Sequence, residues 1–156
     1  MAVYGARPIG SLAGISPVVL EFNSAATIAV NDFAKFDGST GELALGTASA
    51  SILGVALEAA TSASTGVQVN VTPFAIYLMD NDNVGETFAA THVGEYMDLT
   101  GGTGAMLIDT NTSSATKATF KCIAYNPQGF GKANDSDTSL GLFMLVETEF
   151  SQQEAA

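Results

Sequence analysis

Val30-Asn31-Asp32-Phe33-Ala34-Lys35-Phe36-Asp37-Gly38 and Val93-Gly94-Glu95-Tyr96-Met97-Asp98-Leu99-Thr100-Gly101 share one layout: apolar, spacer, acid, aromatic, two residues, apolar, spacer, glycine. The offset of 63 positions also carries Leu43-Ala44-Leu45 onto Met106-Leu107-Ile108, and a looser echo sets residues 52–57 against 120–125. Each copy reads as strand, glycine turn, strand, loop, strand, which is a small antiparallel β unit used twice, over 30–71 and 93–125.

The flanking sequence extends this reading. Residues 18–22, 27–30, 67–71 and 74–79 are short apolar runs, and Val67, Val69 and Val71 alternate with Gln68 and Asn70, the period of two of a strand. Residues 140–146 form a continuous apolar run, as expected of a strand buried on both faces. Residues 87–92 are the best candidate for a short helix, weakened by two threonines. Roughly ten short strands with turns between them imply an all-β domain, a small β-barrel or sandwich with at most one short helix. Gly5, Pro8, Gly10, Gly14 and Pro17 forbid a long helix at the start, while Val3, Tyr4, Ile9, Leu12 and Ile15 between them suit an extended N-terminal arm that packs on something. The expected organisation is an arm at 1–17, one β domain at 18–150 and a disordered tail at 151–156.

The chain has 156 residues, 47% hydrophobic but only 13% charged, with 16 acids against 5 bases and a formal net charge of −11. Its polar surface must come from Ser, Thr, Asn and Gly, and such a surface is cheaper to cover with a partner than one of Lys and Glu. The five bases are scattered, so nothing supplies the clustered cations that displace counterions from phosphates. Neither nucleic acid nor an anionic membrane is an expected partner, and no window holds the ~20 apolar residues of a membrane helix. Arg7 is followed at once by Pro8, which does not read as a secretory leader, and synthesis in the cytosol is expected.

Groups that carry chemistry are few. The single histidine, His92, lies between Thr91 and Val93 and reads as structural. No serine has glycines two residues to either side, and Gly129-Phe130-Gly131-Lys132 lacks the rest of a phosphate loop. Asp80-Asn81-Asp82-Asn83-Val84-Gly85-Glu86 places acids at calcium-loop positions one and three, but Val84 stands at five and Thr91 at twelve, so a turn is the better reading. The lone Cys122 sits in an apolar alternation and is expected to be buried and inert. Asp32 and Glu95 read as edge or turn residues. No catalytic residue, metal or cofactor is expected, and the protein does not read as an enzyme.

The stretch Phe33-Ala34-Lys35-Phe36-Asp37-Gly38, then Gly41-Glu42-Leu43-Ala44-Leu45, Ile52-Leu53-Gly54-Val55-Ala56-Leu57-Glu58-Ala59-Ala60 and Val67-Gln68-Val69 resembles the small β-barrel module of tailed-phage head decoration, or cement, proteins. The likeness covers residues 30–71 and reaches the second half through the repeat. It implies a structural virion protein on the outer capsid surface, a homo-oligomer, commonly a trimer, that clamps neighbouring subunits of the major capsid protein. The arm residues Val3, Tyr4, Ile9 and Leu12 would then be candidate oligomer or capsid contacts. The alternative is a tail or fibre module recognising a host glycan or receptor.

Overall fold

In a computed structural model of the chain, residues 6–12, 14, 16–82, 87–114, 119–126, 140–146 and 148 are described. They form an all-β sandwich of eleven strands in two antiparallel sheets. The strands are β1 (Arg7–Ser11), β2 (Val19–Phe22), β3 (Phe33–Phe36), β4 (Leu43–Leu45), β5 (Gly54–Ala56), β6 (Val67–Asn70), β7 (Ala75–Asp80), β8 (Tyr96–Thr100), β9 (Leu107–Ser114), β10 (Phe120–Tyr125) and β11 (Leu140–Leu145). The first sheet has the order β2-β6-β5-β3-β4, the second β1-β7-β11-β10-β8-β9. A parallel bridge from Asn81 to Ile108 joins the end of β7 to β9, but neither sheet closes into a barrel.

Adding five to every strand label of the first sheet gives β7-β11-β10-β8-β9, the order of the second without β1. Across the first four strands of each order, the pairing agrees residue by residue. Across the first sheet, Val19 pairs with Asn70, Asn70 with Val55 and Val55 with Phe33. Across the second, Ile76 pairs with Met144, Met144 with Lys121 and Lys121 with Tyr96. One five-stranded topology is therefore used twice, and β1 is an additional strand on β7.

The two sheets are not stacked as mirror images. In the second sheet the face bearing Tyr77, Met97, Leu99, Phe120, Cys122 and Phe143 is the core face. The corresponding face of the first sheet, with Ala34, Ala56, Val67 and Val69, has a smaller core of its own. Loop residues Ile28 and Ala60 cover it, held together by two backbone hydrogen bonds of 3.1 and 2.8 Å. What fills the gap between the sheets is the reverse face of the first one, where Phe33, Ile52 and Val55 enter the main core. Phe33 lies 4.9 Å from both Tyr77 and Phe120, centroid to centroid. The units are thus stacked front to back, and the central strand of the first sheet, β5, is buried on both sides.

Turn chemistry sets the hairpins. After β3, Asp37 Oδ1 accepts the N–H groups of Ser39 and Thr40 at 2.8 and 3.1 Å, and Gly41 turns the chain back at φ +72°. After β8, Gly101 adopts φ +89°, and a Cβ there would stand 2.1 Å from the carbonyl oxygen of Ala105. The glycine that ends both copies of the motif is therefore required at 101, whereas Gly38 has open space around its α-carbon.

Residues 7–11, read as part of an extended arm that packs on something, form a strand that pairs with β7 of the same chain. Two sequence expectations change. Residues 27–30 make only an isolated bridge, Ile28 to Ala60, because they serve as a lid instead of joining a sheet. The helix expected over 87–92 shrinks to one 3-10 turn, Ala90–His92. The expected tail at 151–156 lies outside the described residues.

Candidate interaction surface

The chemistry-bearing side chains are placed as parts of the scaffold. His92 is buried and stacks on Phe88 at 5.7 Å, and its Nδ1 accepts the N–H of Ala89 at 3.0 Å, which closes the 3-10 turn. Cys122 is fully buried, and burial pushes its thiol up to about 11. Burial also raises the Tyr77 hydroxyl well above the ordinary phenol range. Asp32, 1% exposed, accepts the N–H of Ala29 at 2.8 Å and that of Gly104 at 3.0 and 2.9 Å, so it ties the loop before β3 to the β8–β9 turn of the other sheet. Its partner in the repeat, Glu95, joins the network through its backbone, whose carbonyl accepts the Cys122 N–H at 2.9 Å.

Of the acidic turn, Asp80, Asn81 and Asp82 are described. The Asp82 N–H donates to the Ile108 carbonyl at 3.0 Å, and its Oδ1 accepts the Thr110 N–H at 3.2 Å, so the segment joins β7 to β9. Asp98 and Asp109 oppose each other across β8 and β9; Asp98 accepts the Ser49 hydroxyl at 2.9 Å, and Asp109 accepts the Asn111 N–H at 3.0 Å. Among the described residues, no three His, Cys, Asp or Glu side chains converge to hold a metal ion, and no helix is long and apolar enough to cross a membrane. An open cleft of about 570 Å³ lies between the end of β2 and the β3–β4 turn, lined by Glu21, Phe22, Asn23, Thr40, Gly41, Glu42 and Gly66.

The more unusual surface is apolar. Of the four arm residues singled out from the sequence, Ile9 and Leu12 are 39% and 64% exposed, and Val3 and Tyr4 lie outside the described residues. The sequence reading missed their company, because Val18, Val19, Leu20 and Phe74 read as ordinary strand residues but are 38–54% exposed. The backbone brings these segments together. The Leu12 N–H donates to the Phe74 carbonyl at 3.2 Å, the Ser11 hydroxyl to the Pro73 carbonyl at 2.6 Å, and the Val18 N–H to Thr72 Oγ1 at 2.9 Å. β1 and β2, edge strands of different sheets, thus flank the turn joining β6 to β7. Phe74 holds φ +51° there, a left-handed conformation that costs a non-glycine residue about 1–2 kcal/mol, and it presents its ring to solvent. A signal was present in the sequence: Pro73-Phe74 interrupts two apolar runs at a place where a large aromatic has no turn-forming role.

Comparison with protein-family models, curated proteins and solved structures gave no match.

Proposed function

We propose that the protein is a structural virion component that binds the outer surface of an assembled phage capsid, as a homo-oligomer and in particular a trimer, and stabilises it by clamping neighbouring major-capsid subunits. The observation that carries this reading is the set of exposed apolar side chains Ile9, Leu12, Val18, Val19, Leu20 and Phe74, borne on and beside the edge strands β1 and β2 and on the β6–β7 turn of a low-charge, acidic sandwich. Apolar area of this kind is favourable to bury against a partner. The motif likeness over residues 30–71 supports the same reading. A protein that binds only the assembled shell shifts the assembly equilibrium towards it by mass action.

Cosedimentation with expanded capsids of the parent phage tests this. Bound protein that raises the capsids' resistance to heat or chaotrope is the expected result. No cosedimentation overturns the proposal, and binding on a glycan array in its place moves the assignment to a tail or fibre receptor-binding module.

A further inference from the structure

The repeated topology exposes an asymmetry. β7 is paired on both sides, by β11 and by β1; its Ile76 is half-buried and its Tyr77 is 0% exposed. Its counterpart β2 is paired by β6 alone among the described residues, and the equivalent Val19 and Leu20 are each 42% exposed. Gly10 and Pro8 of β1 stand opposite Ile76 and Tyr77, and among the described residues no strand stands at the matching place beside Val19 and Leu20. The Val71 N–H donates to the Val18 carbonyl at 2.8 Å, so the hydrogen-bonded pairs of this ladder are Val18 with Val71, Leu20 with Val69 and Phe22 with Val67. The alternation turns the N–H and C=O groups of Val19 and Glu21 away from β6, towards the open edge.

The other edges are blunted in the ways natural sheets use. β1 carries Pro8 and a bulge between Pro8 and Gly10, β4 has three residues, and β9 is met by Asn81. β2 has no proline, glycine or bulge.

From this we infer that the open edge of β2 is a strand-acceptor site, which takes an extended, apolar, neutral or basic segment of another protein as β7 takes β1. The chemistry follows from the occupied site and from charge. β1 brings Arg7 and no acid, while the acceptor edge carries Glu21 on a chain of net charge −11. A second copy would bring its own Glu21 and the same excess of negative charge, which weighs against it. The inference does not rest on the capsid reading.

The test uses the full chain and a synthetic peptide copying residues 6–12, Ala-Arg-Pro-Ile-Gly-Ser-Leu, with amide hydrogen exchange as the readout. At saturating peptide, exchange at Val19 and Glu21 is expected to slow by about tenfold or more while β7 is unchanged. Val19→Pro, which removes one outward N–H at an edge where proline is tolerated, should abolish the effect at Glu21. Glu21→Pro with Val19 as the reporter serves if the first variant fails to fold. No slowing at millimolar peptide overturns the inference, as does a change confined to β7, which would mean exchange with the chain's own β1. Slowing without peptide that grows with protein concentration overturns it in favour of a second copy.

Discussion

Phe33 and Tyr96 occupy the same place in the repeated topology and the same face of their sheets, yet they differ in energetic weight. Phe33 is fully buried because another sheet lies against it, whereas Tyr96 is half-buried beneath Lys121, whose Nζ stands 5.1 Å from the ring centroid. Phe33→Ala should cost about 3–5 kcal/mol in urea unfolding, and Tyr96→Ala about 1 kcal/mol or less, the scale of an exposed cation–π contact. Asp32 is the other residue that ties the two sheets. Asp32→Ala leaves the Ala29 and Gly104 N–H groups without their acceptor and should cost about 1–3 kcal/mol. Desolvation holds the Asp32 carboxyl above the usual range against the hydrogen bonds that lower it. The folded state then binds the proton more tightly than the unfolded one, so this contribution is fully present below the unfolded carboxylate value of about 3.9 and is lost as pH rises through the folded value. Urea midpoints should therefore show the wild type gaining on Asp32→Asn as pH falls from neutral into that window, and a pH-independent difference would exclude the effect. Cys122, with its thiol raised by burial, should resist a disulfide reagent at pH 8 in the folded protein and react readily in urea.

At the scale of elements, β5 owes its position to a close approach. A Cβ on Gly54 would meet the Asn70 carbonyl oxygen at 2.0 Å, so Gly54→Ala forces β5 from β6 and should lower stability by about 1–3 kcal/mol or more, read as a shifted thermal midpoint. Most strands were legible because their apolar residues alternate or run together, as in β6 and β11. β1 was not: Arg7-Pro8-Ile9-Gly10-Ser11 has the composition of a loop, and only pairing with β7 makes it a strand. Residues 27–30 failed in the opposite sense, since their apolar run marks burial under a lid and not a ladder. Asn70, which shares the polar positions of the β6 alternation with the exposed Gln68, is 7% exposed and accepts the Thr72 N–H at 3.1 Å. The exposed apolar side chains at the edges escaped notice because sequence shows which residues are apolar, while exposure depends on which edge finds no neighbour.

At the scale of the whole molecule, the repeated motif was visible as a local likeness of 63 residues' offset, whereas the extension to all five strands was hidden. β2 and β7, and β6 and β11, share order and register with little side-chain similarity. Topology depends on where apolar faces fall, and many residues satisfy it. Light scattering on the purified protein should give the mass of a trimer; a monomer at all concentrations would count against the oligomer proposed above. The order of strands also governs when the fold can be completed. β1 is made first, yet Arg7 finds Leu78 only after roughly 70 further residues. At about 5–20 residues per second that is a wait of several seconds on the ribosome. During that interval the first unit, β2 to β6, has everything it needs to form its own ladder, while the leading strand has no partner. Refolding from denaturant imposes no such sequence of events, and the nascent and refolding chains therefore reach the same sandwich by different routes.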